Sequence, residues 1–122
     1  MVVTPEYNRS IPAALKNALD FLYREWHDKS LGIVGYGVDA GGARAAEALR
    51  PIAAELRLAD IRDVVCLSLF DDVADGGEGR LRPRPFQEEA LTRVVDGVVR
   101  WARALAALRA EEAADRLAGA GR

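Results

Sequence analysis

Leu31-Gly32-Ile33-Val34-Gly35-Tyr36, running directly into Gly37-Val38-Asp39-Ala40-Gly41-Gly42, is the stretch whose reading decides the fold. Its first half is uncharged and reads as a buried strand, and its second half is a glycine-bearing loop. The period then changes. From Ala43 to Arg57 the apolar residues Ala45, Leu49, Ile52, Ala53 and Leu56 recur at helical spacing. Pro51 falls inside that pattern and is expected to kink the helix or loosen one turn. A buried strand that turns within a few residues into an amphipathic helix is the first half of a βαβ crossover.

The same alternation extends outward in both directions. Downstream, Ile61 to Leu69 reads as another strand, rich in Val and Leu. Upstream, Met1-Val2-Val3 is a short apolar strand ending at Thr4-Pro5. Beyond it Ser10 is placed to cap a helix, Pro12 is tolerated in its first turn, and Ile11, Leu15, Ala18, Leu19, Leu22 and Trp26 share one face. Asp71 to Pro85, polar and interrupted by Gly and Pro, is predicted to be a long loop. A last helix is predicted from Phe86 to Leu108 or beyond, with Leu91, Val94, Val95, Val98, Ala102 and Leu105 inward. Asp96–Arg100 and Glu112–Arg116 would be i,i+4 pairs on its outer side. Strands alternating with crossover helices predict an α/β domain with a parallel sheet and helices on both faces, spanning residues 1–118, with 119–122 a frayed tail. Ligands of such sheets sit beyond the carboxyl ends of the strands. Here those ends carry the segments Thr4–Ser10 and Gly37–Gly42.

Composition narrows the function classes. Half of the 122 residues are hydrophobic and 30% are charged, the balance of a packed domain, and a net charge of −2 gives no electrostatic reason for nucleic acid or an anionic membrane as partner. No apolar run reaches the roughly 18 residues of a membrane span. Cys66 is the only cysteine, so no intrachain disulfide can form, and a cytoplasmic setting is the simplest expectation.

Thr4-Pro5-Glu6-Tyr7-Asn8-Arg9-Ser10-Ile11-Pro12, with Leu15-Lys16-Asn17 and Ala18-Leu19-Asp20 after it, resembles the T-P-E-Y-N-x-S-x-P…L-K-N-A-x-D signature of NADPH-dependent FMN reductases and their quinone- and azo-reductase relatives. Tyr36-Gly37 through Gly41-Gly42-Ala43-Arg44-Ala45 resembles that family's Y-G-G-x-x-G-G-x-R-A loop, with Val38 in place of the second glycine. The resemblance implies a three-layer flavodoxin-like fold, FMN and NADPH as cofactors, and a homodimer or tetramer. It further implies hydride transfer from a nicotinamide to the flavin, then reduction of an acceptor such as a quinone, an azo compound or free flavin. Carried over by position, it places Pro5, Glu6, Tyr7 and Asn8 along one side of the isoalloxazine and ribityl, and Gly37, Gly41 and Gly42 along the other. No side chain is nominated as catalytic, because the flavin carries the reaction.

A flavodoxin-like sheet has strand order 2-1-3-4-5 with its phosphate loop after the first strand. On that template the chain opens at the third strand, so about two βα units of roughly 30 residues each, including the family's G-S-x-R-type phosphate loop, are expected to be absent and the domain truncated. The alternative to an oxidoreductase is then a non-catalytic remnant that self-associates without binding flavin.

Each singled-out residue also has a plainer reading. Tyr7 either stacks near the flavin or covers the helix end. Glu6 and Arg9 are either solvated loop charges or interface residues. Asn17 is expected to hold the loop by a hydrogen bond, Cys66 to be a buried inert thiol, and His27 to lie on the surface at a helix end. Asp71 and Asp72 follow a strand as in an acidic phosphoacceptor pocket, but the remaining acidic, lysine and hydroxyl partners of such a pocket are not in place.

Overall fold

In the computed structural model, which describes residues 1–73 and 79–119, three strands form one parallel sheet in the order β1-β2-β3: β1 (Val2–Pro5), β2 (Ser30–Gly37) and β3 (Ala59–Ser68). The helices are α1 (Ala13–Asp20), α2 (Ala43–Glu55), α3 (Pro85–Ala104) and α4 (Ala106–Gly119), with a 3-10 turn at Arg24–Trp26. Three adjacent parallel strands with helices on both faces make this an α/β domain of the flavodoxin-like kind, and the unbroken order is that of strands 3-4-5 in a 2-1-3-4-5 sheet.

Alternation along β2 sets the layers. Successive side chains of a strand point to opposite faces. Leu31 and Ile33 accordingly bury against Ile11 and Leu19 and against Ala45, Leu49 and Ala53 of α2, while Val34 faces the other way onto Val65, Ala90 and Val94. Ile33, Leu49 and Val94, the fully buried apolar side chains of greatest volume, mark the centres of the two layers. Near the start of β3 the register shifts between Leu31 and Ile33, and the Arg50 guanidinium spans the irregularity, donating to the Arg62 carbonyl at 2.9 Å and pairing with Asp60. Pro51 sits within α2 without ending it.

Several local expectations are corrected. Ser10 caps nothing. Its backbone N–H and C=O exchange hydrogen bonds with Tyr7 at 2.9 Å each, which holds it extended, and Pro12 occupies the N-cap position of α1. The helix predicted to run on through Trp26 stops at Asp20: the chain turns, and the Trp26 indole Nε1–H donates back to the Leu19 carbonyl at 2.9 Å, satisfying one of the acceptors a helix end leaves open. Ala18 is exposed and Leu22 is only partly covered.

The last helix divides at Leu105 into α3 and α4. The Arg109 guanidinium donates to the Ala102 carbonyl at 3.0 Å and to the Asp28 carbonyl at 2.9 Å, tying α4 to the segment before β2. On α3, Val94 is buried, but Leu91 and Val95 are exposed, because the helix covers β2 and β3 rather than β1. Glu112 and Arg116 pair at 3.9 Å, whereas Asp96 and Arg100 form no ion pair. Gly119 closes α4, and the remainder of the expected tail, 120–122, lies outside the described residues, as does 74–78 within the long loop.

Candidate functional site

Both motif loops leave the carboxyl ends of adjacent parallel strands, so the sheet itself brings them side by side. The Thr4 side chain is 1% exposed between the layers, and its hydroxyl donates to the Pro5 carbonyl at 3.1 Å, so β1 delivers the loop from a fixed point. The Glu6 N–H donates to the Tyr36 carbonyl at 2.8 Å, extending the β1–β2 ladder one step past the strand. The chain then reverses at Asn8 and Arg9, whose φ angles of 49° and 67° are both positive, as in a tight two-residue turn of the primed kind. Asn accepts that region readily; at Arg9 the conformation costs on the order of 1 kcal/mol, borne by the paired Tyr7–Ser10 hydrogen bonds. Tyr7 is left 61% exposed beside the turn.

The glycine loop is shaped by contact with its own strand. Gly41 and Gly42 have φ angles of 57° and 85°, and a Cβ on Gly42 would lie 2.2 Å from the Tyr36 nitrogen and 2.4 Å from the Gly35 carbonyl carbon. Its glycine is required by this close approach of backbone to backbone. The loop is also pinned to β3, where Leu67 N–H donates to the Gly41 carbonyl at 3.0 Å and Leu69 N–H to the Gly37 carbonyl at 2.9 Å. Val38 keeps a φ outside the left-handed region, so the β-branched residue standing in the family's glycine position is unstrained, and its side chain is 45% exposed.

The Glu6 side chain is neither solvated nor at a free surface. It is 9% exposed, its Oε2 accepts the Arg44 backbone N–H at 3.1 Å, and its Oε1 lies 2.6 Å from Arg44 Nε. Gly42, the N-cap of α2, has no side chain to cap with, and Glu6 supplies the missing acceptor and a negative charge from 38 residues away. The Glu6–Arg44 pairing is what residue-by-residue reading missed. The arginine of the G-G-x-R block was visible, but its partner was not.

The other candidates fall out differently. Asp72 is fully buried and structural. Its Oδ2 accepts from Ser68 N–H at 2.7 Å, Gln87 Nε2 at 2.7 Å and Arg84 Nη2 at 3.2 Å. Burial opposes its ionisation, but Gln87, the Ser68 amide and the Arg84 charge outweigh that and hold its carboxyl below the usual carboxylate range. It anchors the start of α3, where Gln87 also accepts from Arg84 N–H at 2.7 Å. Asp71 is exposed. Burial pushes the half-buried Cys66 thiol up, with the Glu6 and Glu47 charges adding to it, so it stays protonated and unreactive at neutral pH. His27, expected at the surface, is 8% exposed, packed edge-on against Tyr23 with centroids 4.7 Å apart, and its Nδ1 lies 3.5 Å from Glu112 of α4. Asn17 is exposed and its side chain holds no loop; its carbonyl accepts from Phe21 N–H at 3.0 Å.

An open cleft of about 480 Å³ borders the glycine loop, walled by Val38, Gly41, Cys66, Phe70, Arg84 and Phe86; Pro5 to Asn8 do not line it. Among the described residues the N–H groups of Val38, Asp39, Gly41 and Gly42 donate to no protein acceptor, and neither do those of Asn8 and Arg9. Free backbone donors of this kind suit a ligand that carries carbonyl and ring-nitrogen acceptors, the chemistry of an isoalloxazine, although of the seven expected flavin contacts only Gly41 lines this cleft. Among the same residues no group of three or more His, Cys, Asp or Glu is placed to hold a metal, and no helix is long and apolar enough to cross a membrane.

Comparison with known proteins gives the same direction. The family model for NADPH-dependent FMN reductase matches residues 1–72. An NAD(P)H-dependent FMN reductase of Schizosaccharomyces pombe is 52% identical over 56 residues, which is 46% of this chain and 28% of that protein. A 2-hydroxy-1,4-benzoquinone reductase of a Burkholderia species is 45% identical over 62 residues, 46% of this chain and 34% of the relative. An NADPH:quinone oxidoreductase of Arabidopsis thaliana is 43% identical over 61 residues, 48% and 31%. The chain thus spans about a third or less of these relatives' length, and the part matched by the family model carries both motif loops. On the match over residues 1–72, this chain belongs to the NADPH-dependent FMN reductase family.

Proposed function

We propose that the chain serves an FMN-dependent NAD(P)H oxidoreductase, with Pro5, Glu6, Tyr7 and Asn8 on one side of the flavin and Gly37, Gly41 and Gly42 on the other. The observation that carries the reading is the pair of loops, fixed together at the carboxyl end of a parallel sheet and presenting backbone N–H groups without protein acceptors. Bound there, FMN would supply hydride acceptance from NAD(P)H and electron delivery to a second substrate. The protein's part is positioning: the Asn8–Arg9 turn and the Val38–Gly42 loop offer donors to the ring edges, and Tyr7, largely exposed, is free to lie against a ring. The quinone-reductase names among the relatives support a quinone as acceptor, with an azo compound or free flavin as alternatives. A homodimer or tetramer in the cytoplasm completes the proposal.

The test is a fluorescence titration of FMN with the purified chain, followed by NADPH and a quinone. Quenching at micromolar protein with flavin-dependent NADPH oxidation supports the reading; absence of both rejects it for this chain. One observation favours the second reading, a self-associating protein without flavin. On β1 the Val3 side chain is 64% exposed, and Leu91 and Val95 of α3 are exposed as well. That reading requires oligomers on sizing with no flavin bound, and a monomer excludes it.

A further inference from the structure

We infer that Glu6 and Arg44 are positioning residues: together they form a latch that makes the loop after β1 and the loop after β2 a single rigid unit. The inference rests on the flavin reading only for what the joined loops hold. Three contacts carry it. The Glu6 N–H is bonded to the Tyr36 carbonyl at 2.8 Å, which fixes the Glu6 backbone on the end of β2. Its Cβ packs beside Gly37, where a Cβ would stand only 3.1 Å from it. Its carboxylate then crosses to the first turn of α2, reaching the Arg44 N–H at 3.1 Å and Arg44 Nε at 2.6 Å.

The pairing also satisfies a need that nothing else at the helix end meets. The first turn of α2 contains no acidic residue and Gly42 offers no cap, so the helix end is left to Glu6. The carboxylate is 9% exposed against 30% for the Arg44 side chain, so water competes poorly for it and screening is reduced. Each loop also has an independent attachment: Tyr7 is paired to Ser10, and Gly41 and Gly37 to β3. Without the latch each loop would be held only by its own short-range hydrogen bonds, which then open more readily, and the gap between the loops would be free to vary. A planar ligand bordered by both loops depends on that gap.

The test uses Glu6→Gln, Arg44→Met and the double variant, with Arg93→Met as control because it removes a more exposed ion pair, Arg93–Asp63 at 3.0 Å, away from the site. Amide hydrogen exchange of the flavin-free protein is read at Tyr7 and Ser10 on one loop and at Ala43 and Arg44 on the other. The expected result is that Arg44→Met accelerates exchange at Tyr7 and Ser10, and Glu6→Gln at Ala43 and Arg44. Each acceleration should be roughly tenfold, with the double variant no worse than either single one and the control unchanged. Exchange that rises only on the loop carrying the substitution overturns the latch. So does an FMN dissociation constant that is measurable in the wild type and unaltered in the variants. A wild type that binds no FMN but shows the cross-loop acceleration rejects the flavin reading and leaves the latch standing. Glu6→Asp and Arg44→Lys, which shorten the reach or lose the fork while keeping the charges, should fall between wild type and the larger changes; full equivalence to wild type in both would also overturn the proposal.

Discussion

Replacing Gly42 by Ala is the most searching single perturbation of this architecture. Two costs add. An Ala held at the Gly42 φ of 85° is in the left-handed region, which costs an L-residue on the order of 1–2 kcal/mol. Its Cβ would also stand 2.2 Å from the Tyr36 nitrogen and 2.4 Å from the Gly35 carbonyl carbon, backbone atoms of the central strand that no rotamer change can move aside. Relieving that overlap requires α2 or β2 to shift, at roughly 1–3 kcal/mol by comparison with overpacked cores. A total near 3 kcal/mol lowers the melting temperature of a domain this size by about 12 °C, at about 4 °C per kcal/mol. The assay is paired thermal and urea unfolding against Gly79→Ala. Gly79 also has a positive φ, 59°, but nothing within 4 Å of its added Cβ, so that variant isolates the conformational cost alone. The reasoning is refuted if Gly42→Ala loses no more stability than Gly79→Ala.

Other outcomes follow from the same contacts. Asp72→Asn should destabilise the protein by roughly 2 kcal/mol, because a buried acceptor of three donors loses its charge. Since the folded-state pKa of Asp72 lies below the ordinary carboxylate value, its contribution is present above that ordinary value and lost as pH falls through the folded pKa; urea midpoints of the Asn variant should depend less on pH in that acid range than those of the wild type. Trp26→Phe should cost about 1 kcal/mol by leaving the Leu19 carbonyl without its donor, read as a lower urea midpoint at unchanged slope. Cys66 should react slowly with a thiol reagent at neutral pH and faster as pH rises, and fast labelling at pH 7 would show that its thiol is not held protonated.

Much of this fold can be read along the chain because its signals are local. The change from the run Leu31–Tyr36 to the spacing of Ala45, Leu49 and Ala53 marks strand and helix within twenty-odd residues, and a parallel sheet follows from strand-helix alternation. The two loop motifs are contiguous, so their resemblance to a reductase family was available before any contact was known. What failed most often were expectations that depended on residues distant along the chain: the Glu112–Arg116 pair, one helical turn apart, formed, whereas the surroundings of Glu6 and His27 were set from elsewhere. A helical stripe through Leu22 and Trp26 looks the same whether the chain continues or folds back, and the Trp26–Leu19 hydrogen bond decides for folding back.

By itself, then, the sequence determined the strand-helix alternation, the buried faces of β2 and α2 and the family, since all three depend on residue type and short-range period. Only the tertiary structure decided that Asp72 anchors α3, that His27 is buried under α4, and that the Glu6 carboxylate belongs to α2. The physical reason is that a charged side chain chooses its partner by distance in space. Periodicity along the chain carries no information about a carboxylate and an amide 38 residues apart.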